Sequence, residues 1–351
     1  MTQYERRILN EESAKQDGRK GPQAYMDNIY GSCELHPVLV VVIETPIFER
    51  LRNINQLGTS IYVYATGNGN RYVHCIGTAI LCKKFIDKLF GDEAVRNRTE
   101  VNEVDLLCIQ IAALIHDLGH GPWSHLFDGT IIRDAIKEFD SIKHPHDSSV
   151  AAIKDWDHEM GSQMLFEYLL QWDETENNGT IRKTWLDYGI DLEKEIYNDK
   201  VFIKELIDPT ALKNDDGSHI TDNQSWPMEG RPEEKAMLYE MVSNKRSGLD
   251  VDKLDYLKRD LMYCKGKIVR YSIFVINEIN TAFLTTFQVF ISIQITIACS
   301  IMPKLWKHQI TQTDPLLPSI EKSIVIFLRS SKLEKLITDK CKLLLQFFLA
   351  I

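Results

Sequence analysis

The chain has 351 residues, 44% of them hydrophobic and 26% charged, enough for one large core or two ordinary domains and too apolar for a disordered chain. Its 41 basic and 50 acidic residues give a net charge of -9, which excludes a nucleic-acid coat protein or a polybasic membrane binder on whole-chain charge and leaves room only for a locally basic groove. Seven cysteines, odd in number and without a CxxC pair, argue against a disulfide framework or a thiolate zinc site and point to a reducing, intracellular compartment.

Residues 1–24 are charged and polar without an apolar core, so they read as a disordered lead-in and not as a secretory signal. Gly67-Asn-Gly-Asn70 has turn chemistry, and the pattern after it predicts a helix over Arg71 to Phe90. Asn102-Glu-Val-Asp105 is an N-cap signal ahead of an almost wholly apolar run, Leu106 to Ile115, which predicts a helix buried on most sides. The segment 130–157, with His144, Pro145 and His146, reads as a surface loop, and Asp215-Asp-Gly-Ser218 as another. Further helices are expected over His158 to Leu170 and Lys235 to Leu261, so the first 266 residues are mostly α.

Composition then breaks. All 18 glycines lie at or before Gly266, whereas average usage would put about six in the remaining stretch. Residues 267–351 hold ten Lys/Arg and five Asp/Glu, leaving 31 and 45 of the chain's 41 and 50 for residues 1–266. Ile279 to Pro303 carries no charge over 25 residues, the length at which a membrane span is weighed. Asn280, Gln288 and Gln294 dilute its apolarity, and a buried helix or strand pair and a segment without a settled fold stand beside the span as readings.

Chemistry concentrates in Ala113-Leu-Ile-His-Asp-Leu-Gly-His-Gly-Pro-Trp-Ser-His125. Burying His116 and Asp117 after an apolar run is costly unless a divalent metal compensates both. The i, i+4 spacing of His116 and His120 predicts a shared helical face, with Gly119, Gly121 and Pro122 turning the chain to return His125. The bland alternative is a helix C-terminus decorated with histidines. Imidazole with carboxylate suits Zn, Mn, Fe or Ni better than Ca, and more ligands must come from elsewhere. His74 lies about 40 residues upstream and Asp252 far downstream; Asp252, Tyr256 and Asp260 recur every four residues, with Lys253 beside them. Singly, a lone histidine is commonly a satisfied group, and the acidic run Asp250, Asp252, Asp255 a solvated helix face.

His74, His116-Asp117 and Asp252, in that order, resemble the H…HD…D signature of the HD-domain metal-dependent phosphohydrolases. Ile29 to Pro37, Glu44 to Gly58, His116 to Gly129 and Arg231 to Tyr256 resemble the animal deoxynucleoside triphosphate (dNTP) triphosphohydrolases that join a sterile-alpha-motif domain to an HD domain. The resemblance covers about residues 25–262 and implies an HD-domain helical bundle around a metal site, cleaving dNTPs to deoxynucleoside and inorganic triphosphate. It implies His74, His116, Asp117 and Asp252 as ligands of a divalent metal (Zn, Fe, Mn or Mg) and His158 as an active-site histidine. His120 and His125 would contact phosphates, with His125 also a proton donor to the leaving 5′ oxygen. Gln56, Leu57 and Arg71 would line the sugar and phosphate pocket, and Lys253, Tyr256 and Asp260 would hold phosphates and ribose. It further implies lower dNTP pools, restriction of viral DNA synthesis, a nuclear location with the cytoplasm as alternative, homo-oligomerisation and nucleic acid as a further partner, with no membrane role.

The chain also departs from that family. No sterile-alpha-motif domain is expected before residue 25. At the site for an activating GTP or dNTP, Arg52 matches, but Glu44 and Glu49 stand where Asp and Gln are usual and Met26 replaces Asn, so reduced activation is expected. Residues 263–351 do not resemble the family's C-terminal half, and read as the product of an alternative or misassembled transcript. Low solubility, weak self-association and low or absent dNTP hydrolysis are expected from that tail, despite an intact metal constellation. The competing functions are an HD phosphohydrolase or phosphodiesterase of other nucleotide specificity, and a catalytically impaired isoform that binds nucleotide, nucleic acid or partner subunits.

Overall fold

The structure is a computed structural model describing residues 21–134, 156–210 and 226–265. The lead-in before residue 21, the His144 to His146 loop, the Asp215 to Ser218 turn and everything after residue 265, including Ile279 to Pro303, lie outside the described residues. Among the described residues no helix is long and apolar enough to cross a membrane.

The fold is mostly α. A two-stranded antiparallel hairpin, β1 (Gln23–Asp27) and β2 (Gly31–Leu35), precedes α1 (Pro37–Ile43) and α2 (Pro46–Glu49), each with proline in its first turn. Short 3-10 turns at Arg50–Asn53 and Gly58–Tyr62 lead to α3 (Arg71–Phe90), α4 (Glu93–Thr99) and α5 (Glu103–Ile115). A π-helical stretch at Phe127–Ile132 follows, then α6 (His158–Glu176), α7 (Thr180–Asp187), α8 (Asp199–Ile207), a 3-10 helix at Glu233–Glu240 and α9 (Val251–Lys265).

Two of the helices that position the site, α3 and α5, are set by local chemistry. Asn70 caps α3, its side chain accepting from the Val73 amide at 3.1 Å. Asn102 and Asp105 form a reciprocal capping box on α5, each side chain accepting from the other's amide. Every residue from Asp105 to Ile115 is buried, so α5 is the central helix, packed against α3 on one side and α8 on another. The charged Asp105 survives there because Arg231 and Lys235 pair with it at 2.6 and 2.7 Å.

Helix α9 lies across α3, and Gly77 permits the approach. A Cβ at Gly77 would stand 1.8 Å from Arg259 Nη2. Arg259, 1% exposed, pairs with Asp255 at 2.8 Å and with Asp27 at 3.0 Å, tying the hairpin to α9.

A continuous helix over Lys235 to Leu261 does not form. The Asn244 side chain accepts from the amides of Arg246 and Ser247, Gly248 takes a φ of +64°, and Asp250 accepts from the Lys253 amide at 2.9 Å. These local bonds outcompete the helix and restart it at Val251. The helix from His158 runs on to Glu176, past the expected Leu170. The described cysteines, Cys33, Cys75, Cys82, Cys108 and Cys264, are free thiols.

Candidate metal centre

Helix α5 ends at Ile115, and the chain turns through His116 to Gly119 with Leu118 N donating to Ile115 O and His120 N to Asp117 O. The shared helical face expected for His116 and His120 is therefore absent, and the two imidazoles enter different clusters. The break is enforced by α6 packing onto it. A Cβ at Gly119 would lie 2.2 Å from Ser162 N, 2.3 Å from Gly161 C and 2.4 Å from His158 O. Ser162 Oγ accepts from the Gly119 amide at 2.8 Å and donates to His116 O at 2.6 Å. On the other side Arg50 donates to His120 O at 2.9 Å and also to Leu118 O.

The first cluster joins three separated segments: His74 from α3, His116 and Asp117 from the turn, and Asp252 from α9. His74 Nε2 stands 3.0 Å from Asp252 Oδ1 and 3.2 Å from Asp117 Oδ2; His116 Nε2 stands 3.2 and 3.5 Å from the same two oxygens. Donors held about 2.1 Å from one ion stand about 3.0–3.4 Å apart. The opposite ring nitrogens are tied down. His116 Nδ1 donates to Ala113 O at 2.9 Å, and His74 Nδ1 meets Asp255 Oδ2 at 2.8 Å. That arrangement leaves both Nε2 lone pairs facing carboxylate oxygens, a repulsive arrangement unless a cation or protons sit between them. His74 Nε2 is fully buried and in line with no hydrogen-bond partner, so it aims at the space between the carboxylates. Burial would raise the Asp117 carboxyl, but Arg71, His116 and His120 hold it well below the usual carboxylate range. The Asp252 carboxyl is likewise held down, against its burial, by His116 and His74. Two ionised carboxylates and two oriented imidazoles fit a divalent transition metal.

By sequence Asp255 belongs only to a solvated helix face, yet it is fully buried and orients His74. Asp255→Asn is expected to weaken metal affinity about 10–100-fold, measured by competition with a chelator; unchanged affinity would remove that role.

The second cluster is His120, His125, Asp128 and His158. His158 Nδ1 meets Asp128 Oδ2 at 2.8 Å, and His125 Nδ1 lies 3.8 Å from the same oxygen. His120 stacks on His158 with ring centroids 4.1 Å apart. It lies 3.2 Å from Asp117 Oδ1, out of line for a hydrogen bond, and both its ring nitrogens lack partners. Burial dominates over that carboxylate and pushes the His120 imidazole down to about 4. Between an unfolded value near 6.5 and about 4 the unfolded chain binds a proton that the folded chain refuses. His120 therefore withdraws stability as pH falls through that window. Its ring resonances are expected to titrate in NMR with a midpoint near 4; a midpoint near 6.5 would contradict the burial.

Asp128 carried no sequence signal. Neither did Ser124, whose Oγ accepts from Arg71 Nε at 3.0 Å and donates to Asn55 O at 2.7 Å. Trp123 and Ser124 both adopt left-handed backbone, φ +69° and +54°, strain that the surrounding contacts must hold. Gln56 N donates to Gly69 O and Arg71 N to Ile54 O, which sets the buried Gln56 beside the start of α3 and next to Leu57. Arg71 joins the clusters by pairing with Asp117. On α9, Lys253 donates to Gly248 O at 2.8 Å. Tyr256 and Asp260 follow at one and two turns, burial pushing the phenol up to about 12 and the carboxyl up to about 6. A cavity of about 240 Å³ lined by His125, Asp128, Arg133 and His158 adjoins the second cluster.

Glu44, Glu49 and Arg52 lie outside both clusters. Arg52 is clamped by Glu49, Nη2 to Oε1 at 3.1 Å, and its guanidinium lies 3.5 Å over the Tyr72 ring.

Residues 71–199 match the HD domain family. The chain is 42% identical over 235 residues to the deoxynucleoside triphosphate triphosphohydrolase SAMHD1 of Homo sapiens, covering 67% of this chain and 32% of that protein. It is 40% identical over 234 residues to the Bos taurus protein of the same name, covering 67% and 34%. The Dictyostelium discoideum SAMHD1 homolog is 29% identical over 246 residues, covering 70% and 37%. The chain thus spans about a third of the length of the curated relatives it matches.

Proposed function

The chain carries an HD domain, and from that premise we propose that it hydrolyses dNTPs to deoxynucleoside and inorganic triphosphate. The observation that supports the reading most is the convergence of His74 Nε2, His116 Nε2, Asp117 and Asp252 beside a second group of three histidines and an aspartate. A bound divalent ion would polarise the α-phosphate and activate water there. Arg71, fixed by Ser124 and Asp117, supplies a guanidinium to the phosphates. His120, His125 and His158 line the adjoining wall; His125, whose side chain is 68% exposed, can reach a leaving 5′ oxygen and protonate it, with Asp128 facing the ring. Gln56, Leu57, Tyr256, Lys253 and Asp260 hold sugar and phosphates, and Tyr256 closes the wall that would exclude a 2′-hydroxyl.

Residues 25–262 are the hydrolase domain in this reading. Lower dNTP pools, viral restriction, a nuclear location and homo-oligomerisation extend it. The Glu49 carboxylate on Arg52 supports the view that nucleotide activation is weakened, because the guanidinium is already neutralised.

Chelation should stop turnover and re-addition of Zn, Fe, Mn or Mg restore it. His158→Ala should lower turnover about 100-fold or more while the metal stays bound. Turnover indifferent to chelation, or unchanged in His158→Ala, would refute the assignment.

A further inference from the structure

The proposed chemistry uses His74 through its Nε2 atom, while the opposite side of that imidazole sits on a line of buried charges that reaches the hairpin. His74 Nδ1 meets Asp255 Oδ2 at 2.8 Å, and Arg259 grips both oxygens of the same carboxylate, Nε to Oδ2 at 2.8 Å and Nη2 to Oδ1 at 2.9 Å. The second proton of Nη2 goes to Asp27 Oδ2 at 3.0 Å. Asp27 Oδ1 in turn accepts from the amides of Ile29 and Tyr30 at 2.7 and 2.9 Å, so one carboxylate closes the β1–β2 turn and holds the guanidinium. The Asp27, Arg259, Asp255 and His74 side chains are at most 2% exposed. The Cβ that Gly77 lacks would fall 1.8 Å from Arg259 Nη2 and 2.6 Å from Asp255 Oδ1, so the fork is packed against α3 without slack and a change at the turn passes along the line.

Charge fixes the direction of the effect. Two carboxylates and one guanidinium leave a net negative charge behind His74, which favours a cation at Nε2, and a strong Asp255 acceptor for Nδ1–H makes the imidazole a better ligand. Without the Asp27 charge, Arg259 draws on Asp255 alone, and less of that carboxylate's charge serves His74.

We propose that Asp27 is a positioning residue for the metal ligand His74, acting through Arg259 and Asp255 so that the hairpin turn and the metal centre form one coupled unit. The proposal rests on the reading of His74, His116, Asp117 and Asp252 as the metal ligands. Metal affinity then depends on the hairpin, and the order of the hairpin on the metal.

Zn affinity of the full chain is measured by competition with a chelator for the wild type, Asp27→Asn, Asp255→Asn and Asp27→Asn/Asp255→Asn. Asp27→Asn keeps an oxygen for the two turn amides and removes the charge. It should weaken Zn binding about 3- to 10-fold in the wild-type background, and less than about 2-fold further once Asp255→Asn has cut the line. A purely structural role for Asp27 would cost the same in both backgrounds; that result, or an unchanged affinity in Asp27→Asn, overturns the proposal while the metal centre stands. Where Asp27→Asn does not fold by circular dichroism, amide exchange decides with the hairpin unaltered: saturating Zn should slow the Ile29 and Tyr30 amides about 3-fold or more in the wild type and not in Asp255→Asn. Equal slowing in the two chains, or none, overturns it. A wild-type chain that binds no Zn removes the metal centre and the coupling with it.

Discussion

Asp117→Ala is expected to abolish metal binding at the first cluster and lower the proposed dNTP hydrolysis by about three orders of magnitude or more, because the several kcal/mol of transition-state stabilisation that a bound ion would supply is lost with it. Asp117 touches every part of the site: Oδ2 faces both His74 and His116 and pairs with Arg71, while Oδ1 faces His120. The alanine frees the guanidinium and leaves the two Nε2 atoms with Asp252 alone. Metal analysis and a turnover assay on the same preparation check the result; a variant that keeps both metal and rate would contradict the ligand set.

Gly119→Ala is expected to cost about 4 kcal/mol or more of stability, the range reserved for forced backbone movement. The new methyl meets backbone atoms of His158, Gly161 and Ser162 at 2.2 to 2.4 Å, and no rotamer relieves that. Accommodation would push α6 away from the HD turn and separate His158 from His120. A thermal or urea unfolding curve reads the effect. A wild-type midpoint would show that the two segments do not touch as described.

What sequence made legible was local or periodic. Asn70 and Asn102 announce their helices because a capping side chain bonds within three residues of itself. The candidate ligands His74, His116, Asp117 and Asp252 are legible through a motif, and the structure brings one donor atom of each within 4.8 Å of the others. Asp255 and Asp128 are not legible, since the contact through which each serves the site is distant in sequence, with His74 across 181 residues and with His158 across 30. Gly119 reads in the sequence as a turn residue; it also serves a close approach of α6 that no local pattern encodes. The i, i+4 spacing of His116 and His120 misled because periodicity assumes the helix continues, and here tertiary packing ends it. The Asn244 to Asp250 turn is hidden for the same reason: helical spacing on both sides masks two Asx-type caps.

The phosphorus NMR spectrum of a dGTP solution incubated with the metal-loaded full chain reads the proposed reaction directly. The three nucleotide phosphate signals are expected to give way to those of inorganic triphosphate alone, at whatever rate the chain sustains, with deoxyguanosine as co-product. Pyrophosphate with dGMP, orthophosphate with dGDP, or no conversion above the protein-free control would contradict it.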